Sequence, residues 1–343
     1  MAPTRTLAVL ILCAAPALAR ADRNVVVLLP FDDLAARPSV ARDLVGFAAH
    51  HVARRGWDVV YGEPVERVLQ AYRIRYLDSL SAPVLARVLA ELGADAALVG
   101  TLLSYRDGAN GSVALSARLV APGPAQVWTG ISGLSAEDTA GMLGLGRART
   151  ADELVGAAAR RLFEGFPDAS RRAASQRLAK RRTPFPRPMS WRAPALDGRS
   201  ARVCVLPFES FAPAREASRT LVDLASRRLG QGGGLRVVEA GALREAMLAE
   251  EVRTFLNADS GQLARLARRL DAPLFLRGTV YAYDDPEGGA GPGVDLQLTL
   301  VDVEKGSILW TSRVARRGTD YLALLQRGAI STAAALADQA LAE

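Results

Sequence analysis

The sequence predicts an α/β protein built from two tandem copies of one mixed-sheet unit with helices. Three observations carry this expectation. An apolar strand closed by proline and phenylalanine occurs twice, as VVVLLPF (Val25 to Phe31) and as VCVLPF (Val203 to Phe208). Each copy is followed by the same ordered landmarks: a Val-Val pair, a leucine-rich helix running into a Gly-Thr pair, and a tryptophan. The spacing is nearly constant, 177 residues from Pro30 to Pro207, 178 from Val59 to Val237 and from Gly100 to Gly278, and 182 from Trp128 to Trp310. Repeated order at a fixed period marks an internal duplication.

Taken in order, Val25 to Leu29 and Val203 to Leu206 read as strands buried on both faces, because the runs are wholly apolar and proline ends the pairing. Helices follow near Ser39 to Arg54 and near Ala214 to Leu229. In the first, Ser39 is placed to cap and Val40, Leu44, Phe47 and His51 share a face. Glycines at Gly56 and at Gly230 to Gly234 stop these helices ahead of the strands that hold the Val-Val pairs. Helices beginning near Pro64 and Ala242, and again near Ser81 and Ser260, lead to strands ending at Thr101 and Thr279. Val113 to Ala121 and Val294 to Asp302 then alternate apolar and polar residues, which predicts half-exposed antiparallel strands. Gly306 sits where a turn needs a positive φ. Closing helices are expected at Ala151 to Phe166 and Asp320 to Leu341. The organisation that results is a leader (1–21), a first repeat (22–170), a basic and proline-rich linker (171–200) and a second repeat (201–343).

The leader places Arg5 before an apolar run from Leu7 to Ala15, with small residues after it. That run is far shorter than the ~20 residues needed to span hydrocarbon, so it reads as a cleaved signal peptide, cut after Ala19 or Ala21. A lipoprotein reading through Cys13 is the rival, and bulky Leu12 fits it poorly. The expected location is the periplasm. Removing Cys13 leaves Cys204 as the single cysteine, so neither an internal disulfide nor a thiolate metal site is available.

The chain carries 43 basic and 36 acidic residues, a formal charge of +7. Lys180 and Lys305 are its only lysines. Residues 22–170 therefore contain no phosphate-cradling lysine and no Schiff-base lysine. Basic residues cluster in the linker at Arg171, Arg172, Arg177, Lys180, Arg181 and Arg182, ahead of prolines from Pro184 to Pro194. A helix running on to about Arg181 and then a semi-rigid tether are expected. Arg181, Arg182 and Trp191 are the candidate partner contacts, with peripheral contact to an acidic membrane surface as a further use of the cluster. Nucleic acid is not expected, since no aromatic or periodic basic face accompanies the charge.

Motifs that carry chemistry are weak. Asp32-Asp33 stands at a strand end, where α/β ligand sites lie, yet the second copy has Glu209-Ser210 there and no lysine is available nearby. Neighbouring residues on a helix point about 100° apart, so His50 and His51 cannot chelate one metal. LGLGRAR (Leu143 to Arg149) follows no strand, and PEGGAGPG (Pro286 to Gly293) has no helix after it, so neither reads as a nucleotide loop. Trp128 and Trp310 read as equivalent sheet-face residues. No catalytic, cofactor or metal residue is expected. A rival reading uses an inter-domain cleft with Asp32, Asp33 and Asp95 as acids for small-ligand binding or hydrolysis.

The order LLPF, VV, LGADAALVGTL, an alternating strand and a turn into tryptophan resembles the envelope proteins grouped around the TolB amino-terminal domain, LpoB-like penicillin-binding-protein activators and CsgG-like proteins. The resemblance covers about residues 24–166 and 202–343. It implies an anticodon-binding-domain-like α/β fold in each repeat and a non-enzymatic adaptor or accessory role in a bacterial envelope assembly, with an envelope or outer-membrane protein as partner. No TolB-type propeller follows. A secretion pore subunit is the remaining alternative within that group.

Overall fold

The structure is a computed structural model, and it describes residues 24–108, 111–123, 126–139, 146–169, 187–231, 234–255, 258–285, 291–321 and 330–343. The leader with Ala19 and Ala21, the segment with Arg181 and Arg182, the start of LGLGRAR (143–145) and most of PEGGAGPG (286–290) lie outside them.

The first unit begins with β1 (Val25–Leu28), β2 (Asp32–Asp33), α1 (Pro38–Ala53), β3 (Asp58–Val60), α2 (Glu63–Ala71) and α3 (Ala82–Leu92). It continues with β4 (Ala96–Arg106), β5 (Ser112–Val120), β6 (Gln126–Ser135), α4 (Ala136–Thr139) and α5 (Ala151–Phe163). Its sheet has the order β3-β1-β4-β5-β6, with β2 pairing the end of β4. The crossover-linked strands β3, β1 and β4 run parallel, and β4, β5 and β6 form an antiparallel meander.

The second unit opens with β7 (Met189–Arg192), β8 (Ala201–Val205), β9 (Glu209–Ser210), α6 (Ala217–Gln231), β10 (Leu235–Val237), α7 (Ala240–Ala249) and α8 (Ser260–Leu270). β11 (Leu274–Asp284), β12 (Gly293–Asp302), β13 (Ser307–Arg317) and α9 (Ala333–Ala340) complete it. Its order, β10-β8-β11-β12-β13, matches that of the first sheet strand for strand, with β9 on β11 where β2 is on β4. One strand is added: β7 pairs with the far edge of β13. The protein is thus α/β with two mixed sheets.

The recurring proline-phenylalanine pair has a packing reason. The Phe208 ring lies on Gly278, where an added Cβ would come within 2.6 Å of it, and Phe31 covers Gly100 in the same way. Only glycine leaves room for the ring, so the phenylalanine just past β1 or β8 and the glycine in the middle of β4 or β11 are one packing unit.

Helices cover the sheets in a shared arrangement. α1 and α5 bury the face of the first sheet that carries Val26, Leu98, Leu115 and Leu119. α2 and α3 cover Val27, Leu29, Ala97 and Val99 on the opposite face. In the second unit α6 and α9 lie over Val205, Leu276, Leu296 and Leu298, while α7 and α8 cover Cys204, Leu206 and Phe275. The outer sides of α6 and α9 then pack against β5 and β6 of the first sheet, where Ala334 meets Leu103 and Ala114. One helical layer serves two sheets.

Several local expectations change. β5 is buried along its whole length, whereas β12 alternates as expected. Both carry an alternating pattern, but the polar side of β5 is covered by α6 and α9. α1 starts at Pro38 with Arg37 at the cap position, so Ser39 lies inside the first turn and makes no capping bond. Its buried stripe is Val40, Ala41, Leu44, Ala48, Ala49 and Val52, and Phe47 is 40% exposed. The alanines let the helix sit close to the sheet and turn Phe47 outward. α5 stops at Phe163 and α9 begins only at Ala333, with a short 3-10 turn at Gly318–Tyr321 before it. Gly306 has the expected positive φ, 62°.

Candidate partner-binding surfaces

The buried contact between the units shows what this sheet face binds. Ser116 Oγ on β5 donates to Asp223 Oδ2 of α6 at 2.7 Å. Arg219 of α6 bridges Asp223 at 3.3 Å and Asp78 at 2.7 Å. Arg118 on β5 pairs with Glu239 at 3.5 Å and also donates to the Asp78 carbonyl. Arg118 and Glu239 are nearly sealed from water, at 5% and 7% side-chain exposure. Burial pushes the Asp78 carboxyl up, but the Arg219 guanidinium outweighs it and holds the group below the usual carboxylate range.

Beyond the part that α7 and α8 cover, the same face of the second sheet is open among the described residues. It presents Arg277, Tyr281, Gln297, Thr299, Ile308 and Arg313 from β11, β12 and β13. Phe211 stacks on Tyr281 with ring centroids 6.2 Å apart, and Arg313 lies 4.8 Å over the same ring while pairing with Asp295 at 3.1 Å. β7 extends this face. Trp191 stands opposite Thr311 and Met189 opposite Arg313, and opposed residues of an antiparallel pair share a face. The exposure here is large for such residues: 77% for Met189, 65% for Phe211, 52% for Trp191 and 50% for Ile308. A patch of aromatic, methionine and arginine side chains is the composition of a protein interface core.

Trp191, expected in a tether, is therefore a strand residue of the second sheet, because the segment Met189–Arg192 finds the β13 edge open to pairing. Tyr281, Phe211 and Arg313 were not singled out in the sequence. The signal that could have found them is the polar half of the β12 alternation, together with an aromatic at Phe211 just past the repeated LPF motif.

The acids expected to form a cleft site are not brought together. Asp95 stands at the start of β4 and accepts from the Val25 amide at 2.9 Å, at the opposite end of the parallel strands from Asp32 and Asp33. Asp33 accepts from the Ala35 amide at 3.1 Å and Asp32 from the Asp33 amide, so both carboxylates bond local backbone while the pair forms the short strand β2 against β4. Asp33 lines an apolar groove between α1 and α2 within the first unit. His51 stacks on Phe163 at 5.9 Å, and partial burial and the positive charges around it lower its pKa. Among the described residues no three His, Cys, Asp or Glu side chains are placed to hold a metal ion. Cys204 is fully buried, which pushes its thiol up to about 12. Trp128 and Trp310 occupy corresponding places, opposite Leu119 and Leu300, and Trp128 packs with Phe163 and Phe166.

A cleft of the second unit, reached by Arg106 alone among the described residues of the first, lies elsewhere. About 970 Å³ in volume, it is lined by Arg106, Glu216, Tyr283 and Asp285 among others. Arg106 approaches Asp285 at 3.5 Å, and burial pushes the Asp285 carboxyl up to about 6.

These features define a two-sheet α/β protein with an uncovered aromatic and basic sheet face. No family model and no curated protein matches the chain. Among solved structures it is similar in part to the PelC dodecamer from Paraburkholderia phytofirmans, at 20% identity over 45% of this chain and 91% of that one, with a TM-score of 0.32. Lipoprotein GNA1162 from Neisseria meningitidis is 19% identical over 34% of this chain and 80% of its own, TM-score 0.29. The LpoB C-terminal domain from Salmonella enterica is 21% identical over 35% and 87%, TM-score 0.27. Among the described residues no helix is long and apolar enough to cross a membrane.

Proposed function

We propose that the chain is a non-enzymatic accessory or adaptor protein of the bacterial envelope, exported to the periplasm, built by tandem duplication of a TolB-, LpoB- and CsgG-like α/β unit and acting by binding a protein partner. The observation that carries this is the open face of the second sheet. Exposed Trp191, Tyr281, Phe211, Met189 and Ile308 lie together with Arg277 and Arg313, and contiguous apolar patches of this kind mark interaction sites. Further support comes from the first sheet, whose corresponding face is a helix-binding surface within the molecule.

The test is crosslinking in intact cells from a photoreactive residue at position 281, followed by identification of the bound protein. A stable envelope partner that is lost from the Trp191→Ala, Tyr281→Ala chain is the expected result. Recovery of the protein alone would reject the reading. The cleft holding Asp285 and Arg106 supports a second reading, small-ligand binding there. Asp285→Asn abolishing a ligand-induced rise in melting temperature would favour it.

A further inference from the structure

The two sheets end differently. In the second, β7 pairs antiparallel with β13, Arg192 opposite Trp310 and Met189 opposite Arg313, so an extended segment closes the edge. In the first, β6 occupies the place of β13 and is bonded to β5 on one side; among the described residues no strand lies on the other. A groove of about 390 Å³ runs along that open edge. Its floor is the β6 segment Trp128 to Gly133, and its walls are the end of α5 on one side and α6 with α9 on the other.

Four buried polar atoms in this groove have no hydrogen-bond partner among the described residues: Thr129 Oγ1, Ser132 Oγ, Arg227 Nε and Gln231 Oε1. Thr129 and Ser132 are only 5% and 3% exposed. Buried polar groups are almost always bonded, and each one left unmade costs stability, so two on the strand edge and two on the α6 wall facing it point to a missing ligand. Successive strand residues alternate in direction, which places the Thr129 and Ser132 hydroxyls on opposite sides of the edge, where a strand laid beside β6 would reach both. Charge narrows the choice. Arg227 and Arg228 both converge on the single carboxylate of Asp338, and Arg161 and Glu164 also line the groove, so three cations face two carboxylates.

We propose that the β6 edge takes an extended, acidic peptide segment of a protein partner as an added antiparallel strand, in the register that β7 uses on β13. Main-chain bonds to the edge supply affinity, and the two hydroxyls and the arginines supply selectivity, as in other strand-addition complexes. The inference rests on the partner-binding reading and names a second contact for it, separate from the open face of the second sheet.

The test pans a displayed library of random twelve-residue peptides against the full chain and maps the bound peptides by amide hydrogen exchange. Enriched peptides should be acidic and should protect the alternate amides of residues 128–133 that point to the open edge, the others being already bonded to β5. The Thr129→Val, Ser132→Ala double variant should bind them roughly tenfold or more weakly, while melting no lower than the parent because it loses two unsatisfied hydroxyls. Protection of those amides in the free chain would show that the edge is already filled, by residues 170–186 or by a second copy, and would overturn the proposal. So would peptides that bind only elsewhere, or none at all. In either case a partner crosslinked from position 281 would leave the adaptor reading standing.

Discussion

Gly278 under the Phe208 ring is where one residue type decides a packing unit. Gly278→Ala places a Cβ within 2.6 Å of the aromatic carbons, an overpacking expected to cost about 1–3 kcal/mol in urea unfolding; Gly100→Ala should behave alike. The carboxylates make opposite contributions with pH. Asp78 is held low by Arg219 despite its burial, so its contribution to stability is present above the unfolded value near about 4 and is lost as pH falls through the lower folded value. Asp78→Asn should flatten the acid limb of a stability-against-pH curve. Asp285 is pushed by burial to about 6, so the folded state holds a proton that the unfolded chain releases between about pH 4 and 6. Its contribution therefore falls as pH rises through that window, and Asp285→Asn should remove that slope. None of these three environments was legible in the sequence, since Asp78, Asp285 and Arg219 are far apart along the chain and meet only across packed elements.

β5 and β12 separate pattern from environment. The hydrophobic half of each strand was legible, and it does face helices: Leu115 and Leu119 in one, Leu296 and Leu300 in the other. The fate of the polar half was not, because it depends on a second unit that strand periodicity does not describe. Ala114 is buried against Ala334, whereas Gln297 is half exposed. Ala114→Asp should therefore destabilise by roughly 2–5 kcal/mol, leaving a charge unpaired in the interface. Gln297→Glu, which keeps the acceptor for Tyr281 and stands opposite Arg313, should stay within about 0.5 kcal/mol, as surface substitutions do. Thermal melting of the two variants side by side checks both. The β7 strand shows the same limit in another form. Proline-rich flanks read as a tether, but MSWR pairs because the edge of β13 leaves donors and acceptors open to it.

The units are joined by a contact that should make them unfold together. Arg118 and Glu239 face each other with almost no access to water, and removing one partner of such a pair is expected to cost about 3–5 kcal/mol. Calorimetry of the parent chain should show one transition, and Arg118→Met should separate it into two. The sequence by itself determined the α/β class, the two ordered strings of elements and the core strands, because local apolar patterning and a recurring order of motifs can be read without knowing where the chain goes. Tertiary structure alone decided that α6 and α9 serve two sheets, that among the described residues the corresponding face of the second sheet stays open and β6 leaves its edge bare while β7 closes that of β13, and that the acids near β1 do not converge. These depend on how two similar units dock, and docking is set by surfaces whose residues lie more than a hundred positions apart, as Ser116 and Asp223 do.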